Sequence, residues 1–430
     1  MKKINAIFLF ITMIFSFTSC NSDKKENIEV KETIKEIEVP ELGCTKEQYL
    51  ADIEKSLVSP GNNYRLKKFI EKLEKGETVY VAIIGGSVTE GAGIKDETGK
   101  ELWQQGYAFQ FRDQLAEKYP EANIIFNGAG LSGTPSTLGL IRYENHIVKE
   151  MEHKPDLLII EFAVNDGGEP EFMSATEALV RKVYSEDEDS AVILLYSDAK
   201  TYKNSQDTKM IIGSYYRVPQ ISIQNAVEAP DSGISEDLYF DDYVHPRKPG
   251  HKFMADCLMN LFEKVEAAKM NDPYALPEVY KKNMDFSNFN AVFADSKNSN
   301  VKISAGGFTA VDNNSQSLKK GGNAFPSNWH HSEDSGNDSF VMEVNCKNLI
   351  FVYKVQGNWL PEKFGTAEVY VDGNKIAEYD GSNSEGGAWN NSVQKLIINE
   401  TECADHEIEV KMAPGFEDKG FTILAIGYGI

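Results

Sequence analysis

Four short stretches of this sequence carry residue types that could do acyl-transfer chemistry. The first runs Ile83-Ile84-Gly85-Gly86-Ser87-Val88-Thr89-Glu90-Gly91. A serine hydroxyl becomes a nucleophile once a base takes its proton, and neighbouring glycines let a substrate approach the backbone closely. Alone, this stretch reads equally well as an ordinary glycine-rich turn after a strand. The second, Asn127-Gly128-Ala129-Gly130-Leu131-Ser132-Gly133-Thr134, either aims a backbone N–H into the same crevice or is simply a loop. The third, Glu161-Phe162-Ala163-Val164-Asn165-Asp166, offers a side-chain amide. Such an amide donates to a developing oxyanion or, more plainly, caps the next helix. The fourth is Asp241-Asp242-Tyr243-Val244-His245-Pro246, followed by Gly250-His251. Three residues of separation let the Asp242 carboxylate hold the imidazole N–H of His245 across one turn, leaving the other ring nitrogen to act as base. The plain alternative is an exposed acidic loop with an incidental histidine. Among the seven histidines, however, His245 is the one whose neighbours make chemical sense.

These stretches need a scaffold that brings them to one place. From about Thr45 to Lys269, short apolar runs alternate with amphipathic ones. The runs Val79–Ile84, Asn123–Phe126, Leu157–Phe162, Ala191–Tyr196 and Gln220–Ile223 read as buried strands. Tyr107–Lys118, Ser136–Glu152, Ser174–Tyr184 and Gly250–Ala267 read as helices. Such alternation implies βαβ units, a parallel sheet and helices on both faces. Parallel sheets bind ligands at the carboxyl ends of their strands, which is where the first three stretches fall.

From about Asp285 the texture changes to short alternating runs separated by Gly, Asn, Asp and Ser. Examples are Asn348–Val355, Thr366–Val371 with the Asp372-Gly373 turn, Glu407–Met412 and Phe421–Ile426. Asp-Gly between alternating strands is a hairpin signal. The pattern predicts an all-β sandwich of jelly-roll type over residues 291–430, joined through a linker at 271–290 to an α/β domain at 45–270. With 430 residues the chain is long enough for two domains.

A net charge of -22, from 66 acidic against 44 basic residues, repels phosphate backbones and anionic headgroups. Nucleic acid is therefore a poor partner, whereas a neutral ester meets no electrostatic obstacle. Residues 1–19 read as an export signal: Lys2 and Lys3 precede the short apolar run Ile7 to Phe17, too short to span a bilayer as a helix. The run ends in Phe17-Thr18-Ser19-Cys20, which resembles a bacterial lipobox with Phe17 in place of the usual Leu. That resemblance implies diacylglycerol on Cys20, a tether over residues 20–44, and an exported lipoprotein facing the periplasm or the cell surface. Simple secretion with a free Cys20 is the alternative. Cys44, Cys257, Cys346 and Cys403 show no metal-binding spacing; Cys346 and Cys403 either pair or are buried thiols.

Taken in order, the four stretches resemble the blocks of the SGNH or GDSL hydrolases over roughly residues 78–265. The resemblance implies a three-layer α/β/α, flavodoxin-like domain that needs no metal or cofactor. It implies Ser87 as nucleophile, His245 as base and Asp242 as its orienter. It also implies an oxyanion hole from the N–H groups of Ser87 and Gly133 and the Asn165 amide. Gly133 is preferred to Gly130 because Leu-Ser-Gly-Thr matches the second block best. Gly86 stands where the family has Asp, and Ala163 where it has Gly; neither position carries a catalytic group. The Gly-Gly-Ser form resembles family members that remove acetyl groups from carbohydrates. Trp329, Trp359 and Trp389 lie in the C-terminal region. Trp359 and Trp389 follow glycine-containing turns and are candidates for stacking on sugar rings, with core packing the alternative. The sequence thus leads first to a carbohydrate acetyl esterase. Behind it stand a lipase- or thioesterase-like acylhydrolase of longer chains and a non-hydrolytic glycan-binding lipoprotein.

Overall fold

The computed structural model describes residues 38–297, 300–357, 363–382 and 389–430. The export signal, Cys20, most of the tether and Trp359 lie outside these residues. Helices α1 (Lys46–Ser56) and α2 (Tyr64–Glu74) flank a short strand, β1 (Leu57–Ser59). Four βα units follow: β2 (Thr78–Gly85) with α3 (Ser87–Glu90) and α4 (Tyr107–Lys118), then β3 (Asn123–Gly130) with α5 (Ser136–Tyr143) and α6 (Lys149–Met151). A π-helical turn, Glu144–Val148, joins α5 to α6. Next come β4 (Leu157–Glu161) with α7 (Pro170–Glu186), and β5 (Ala191–Tyr196) with α8 (Gln206–Tyr215). Strand β6 (Gln220–Ser222) leads to α9 (Ile223–Val227), α10 (Glu236–Tyr239) and α11 (Lys248–Ala267).

The sheet order is β1-β6-β5-β4-β2-β3, parallel throughout except for the antiparallel edge strand β1. Apolar residues alternate along β2. Val79, Val81 and Ile83 pack with α1, α2, α4 and α11, while Ala82 and Ile84 face α5 and α7. Both faces are covered, as a parallel sheet requires. The chain runs from β2 out to β3 and then returns to the other side of β2 as β4. The topological switch point therefore lies between β2 and β4, where flavodoxin-like sheets open their binding crevice. Strand β1 and helices α1, α2 and α8 are absent from the sequence reading. Strand β1 has only three residues, too few to show alternation.

The C-terminal part is antiparallel and all β. Its strands are β7 (Phe289–Val292), β8 (Val301–Ser304), β9 (Trp329–His331), β10 (Phe340–Val355), β11 (Thr366–Val371), β12 (Asn374–Asp380), β13 (Asn391–Met412) and β14 (Phe421–Gly429). They run in the order β12-β11-β13-β10-β14-β7, with β8 on β10 and β9 on β14. The expected Asp372-Gly373 turn joins β11 to β12, with both residues at positive φ. Cys346 and Cys403 are free thiols, as are Cys44 and Cys257; Cys346 is buried and Cys403 exposed.

The connection read as a linker is a packed strap. Met284 and Phe286 are buried, Arg181 donates to the Pro277 carbonyl at 2.6 Å, and Glu177 accepts the N–H groups of Tyr280 and Lys281. Strand β7 already begins at Phe289, inside that stretch. The two parts share apolar surface: Ile141 of α5 and Phe162 pack in one cluster with Ile350, Val352, Leu424 and Ala425. Ion pairs Lys319–Glu101 and Lys320–Glu150 close the rim of this interface. Among the described residues, no helix is long and apolar enough to cross a membrane.

Candidate active site

Three loops at the carboxyl ends of β2, β3 and β4, and a fourth loop before α11, meet at the switch point. Ser87 is the first residue of α3 and is almost fully buried. Its Oγ lies 2.8 Å from His245 Nε2, and His245 Nδ1 lies 2.7 Å from Asp242 Oδ2. The second Asp242 oxygen, Oδ1, accepts the backbone N–H groups of Val244 and His245, each at 2.8 Å. The three-residue spacing thus folds into a tight turn around one carboxylate. Burial pushes the Asp242 carboxyl up. The His245 ring and these backbone donors outweigh it and hold the group below its ordinary value. In this arrangement Nδ1–H donates to Asp242, and Nε2 accepts from the serine hydroxyl. Asp241 faces the other way and pairs with Lys95 at 2.7 Å and Arg247 at 3.2 Å, anchoring the loop.

Asn165 stands beside Ser87 and explains the Gly-Gly-Ser form. A side chain at Gly86 would collide with the Asn165 amide, so the residue before the serine has none. Asp166 holds the Asn165 turn from behind. It accepts the Ser136 N–H at 2.8 Å and forms a buried ion pair with Lys209, which also donates to Thr176 at 2.9 Å. Gly133 adopts φ +68°, a conformation that suits glycine. Ser87, Gly133 and Asn165 follow β2, β3 and β4, which are neighbours in the sheet. Gly130, the alternative in the second block, closes β3 with its Cα face against the backbone of Glu90.

A buried network beneath the serine carries residues that motif reading missed. Tyr107 Oη and Thr89 Oγ1 are 2.7 Å apart. Thr89 also donates to Glu161 at 2.9 Å, and Ser197 donates to the other Glu161 oxygen. Burial raises the Glu161 carboxyl, opposed by these two hydroxyls. Arg142, wholly buried, donates to the carbonyls of Gly85 at 2.8 Å and Ala129 at 2.7 Å, pinning the ends of β2 and β3. Burial lowers its guanidinium to about 10. His251 of the fourth stretch is structural. It accepts the Tyr107 N–H at Nδ1, donates from Nε2 to the Ala92 carbonyl, and burial lowers it to about 4.

The β part reaches the same crevice. Trp389, 46% exposed, lies over Gly133, where an added Cβ would meet its ring at 3.3 Å. Trp329, in contrast, is buried edge-on against Phe340 at 5.3 Å, as core packing predicts. On the opposite side of Asn165, exposed Tyr202 donates to the Val164 carbonyl at 2.9 Å and tilts toward exposed Tyr243, the neighbour of Asp242. Tyr243 lies inside the fourth stretch, between Asp242 and His245, but nothing in the sequence around Tyr202 marks it; the fold brings the two rings together. His330 and His331 face Thr422 and the Lys419 carbonyl.

Residues 83–253 match the model of the GDSL-like Lipase/Acylhydrolase family. The fold is similar over both parts to a two-domain esterase active on acetylated mannans, co-crystallized with mannopentaose. Identity is 25% and the TM-score 0.73, covering 87% of this chain and 97% of that one. Another structure of a two-domain esterase active on acetylated mannans gives 24% identity and a TM-score of 0.73, covering 87% of this chain and 98% of the other. No curated protein matches the sequence.

Proposed function

We propose, from the premise that residues 83–253 match the GDSL-like lipase/acylhydrolase family, that this protein hydrolyses ester-linked acetyl groups on carbohydrates through an acyl-enzyme. The observation that carries the reading is the unbroken hydrogen-bonded run from Asp242 through His245 to Ser87. His245 takes the hydroxyl proton as Ser87 attacks the ester carbonyl, and Asp242 holds the tautomer and stabilises the imidazolium. The N–H groups of Ser87 and Gly133 and the Asn165 amide hold the tetrahedral oxyanion. His245 then protonates the departing sugar hydroxyl, and water, deprotonated by the same ring, releases acetate.

Acetylated carbohydrate as substrate is supported by the two-domain likeness to the mannan esterase and by exposed aromatic rings on both sides of the crevice. Trp389 flanks the Gly133 side, and Tyr202 with Tyr243 the Asn165 side. Aromatic faces suit the apolar faces of pyranose rings, and the acidic surface does not oppose a neutral glycan. The test is a chain-length series of nitrophenyl esters, followed by acetate release from acetylated mannan and xylan. A steep preference for acetyl over butyryl, with release from at least one glycan, is expected. Equal or better turnover of long chains points to a lipase-type acylhydrolase instead.

Export and lipid attachment at Cys20 are part of the same proposal, resting on Lys2, Lys3, the apolar run and the lipobox-like Phe17–Cys20. Metabolic labelling with a fatty-acid probe should mark the wild-type chain and not Cys20→Ser; labelling of both, or of neither, removes the anchor.

A further inference from the structure

The Gly133 N–H and the Ser132 carbonyl belong to one peptide unit. That unit is planar and trans, so the two groups point in opposite directions from it. Whatever fixes the carbonyl also fixes the aim of the N–H. The Ser132 carbonyl accepts a hydrogen bond from Gln316 Nε2 at 2.6 Å, across 184 residues of sequence. Gln316 belongs to the β part, in the loop before β9, and is itself buried. Its Oε1 accepts the Ser392 N–H at 3.1 Å, so the side-chain amide cannot rotate without losing a second bond. The preceding peptide of the same turn is held as well. Glu90 accepts the Ser132 N–H at 3.1 Å and the Ser132 hydroxyl through one oxygen, and the Lys319 N–H at 3.2 Å through the other. Glu90 lies on α3, three residues after Ser87. The turn carrying Gly133 is thus clamped between the helix of the nucleophile and a loop of the other domain.

We propose that Gln316 is a positioning residue for hydrolysis: from the β part it aims and polarises the Gly133 N–H toward the oxyanion, with Glu90 holding the turn against α3. A donor on a peptide oxygen draws electron density from the amide nitrogen and strengthens its N–H as a donor, as in any hydrogen-bonded chain. The α/β part supplies the peptide and the β part sets its direction. The C-terminal domain is then a structural component of the oxyanion hole, besides any role in holding glycan. This inference rests on the reading of Gly133 as an oxyanion donor.

Two substitutions in the full-length chain separate aim from packing. Gln316→Met keeps the volume but removes both side-chain bonds. Gln316→Glu keeps an acceptor for Ser392 and replaces the donor to Ser132 with a carboxylate oxygen that repels the carbonyl. Loss of a whole oxyanion donor costs roughly 10²–10³ in kcat, so a misaimed donor should cost about tenfold. Both variants should lose about tenfold in kcat on nitrophenyl acetate, a substrate without sugar, with KM within about twofold of wild type. Binding of a boronic acid, which forms a tetrahedral anionic adduct on the serine, should weaken by a similar factor. A drop in melting temperature with kcat and boronate affinity unchanged overturns the proposal and leaves Gln316 a packing residue. Ser87→Ala in the same assay keeps the two levels apart. If it still turns over, the esterase reading fails; if it is dead while both Gln316 variants run at the wild-type rate, only the positioning role fails.

Discussion

From the α/β part the crevice receives Ser87 at the start of α3 and Asn165, Asp242 and His245 on loops, all at the carboxyl end of the parallel sheet. From the β part it receives Gln316, Lys319 and Trp389, which approach the Gly133 turn from outside. The first group sits where the reacting atoms would lie. The second holds a peptide or exposes an aromatic face. The difference teaches that, on the proposed function, reactivity and its adjustment would be encoded in separate parts of the chain. The substitutions below should therefore fall into different kinetic classes according to the part they touch.

The largest effect is expected from Ser87→Ala, which removes the nucleophile and should lower kcat on nitrophenyl acetate by about 10⁴-fold or more, with an unchanged circular dichroism spectrum. Wild-type turnover in that variant would place the reactive group elsewhere and erase the distinction between the two parts. Asn165→Ala comes next, with a loss of about 10²–10³ in kcat and little change in KM. Its Oδ1 has no hydrogen-bond partner in the fold, so calorimetry should show little change in stability. A large fall in melting temperature with modest kinetic loss would make Asn165 a scaffold residue.

Trp389→Ala, in the β part, should raise KM several-fold on acetylated glycan while leaving nitrophenyl acetate untouched. Equal effects on both substrates would mean that the indole acts on the Gly133 turn rather than on sugar.

The smallest effect concerns buried carboxyls, and here too the parts differ. Asp198, after β5, is raised to about 7 by burial and by the nearby Glu228 and Glu236, opposed only by the Ala199 N–H. In the β part, burial would raise Asp312 as well, but Lys354 at 2.5 Å, Asn314 and Thr422 hold it below its ordinary value. The signs are opposite. Asp198 favours the folded state most below the usual carboxylate range, and that contribution is lost as pH rises through about 7. Asp312 stabilises above that range and loses its contribution as pH falls through its depressed value. Asp198→Asn, which keeps the acceptor for Ala199, should raise the melting temperature by a few degrees at about pH 8 and leave it unchanged near pH 4. A gain of equal size at both pH values would show that charge burial is not the cause.

Much of the α/β part was legible because its signals are local. Helix α4 begins and ends where the amphipathic period does, and β5 coincides with its apolar run. The chemistry-bearing residues stood out because Asp242 and His245 need only three residues of spacing to meet. The π-helical turn inside Ser136–Met151 and the edge strand β1 were invisible, since neither leaves a period in the sequence. The β part was legible as a texture and at the Asp372-Gly373 turn, but not in its pairing. Strands β10 and β13 are 16 and 22 residues long and change register along their ladder, which short alternating runs do not reveal.

By itself the sequence determined which side chains could react: a serine between small residues, an amide at a strand end, and a carboxylate one turn from an imidazole. Tertiary structure alone decided that Ser87 meets His245 across 158 residues, that Asn165 fills the space left by Gly86, and that Gln316 grips the turn carrying Gly133. The reason is physical. Periodicity and turn spacing record interactions between neighbours along the chain, whereas a hydrogen bond between distant residues exists only after both ends have been placed by packing that no local pattern encodes.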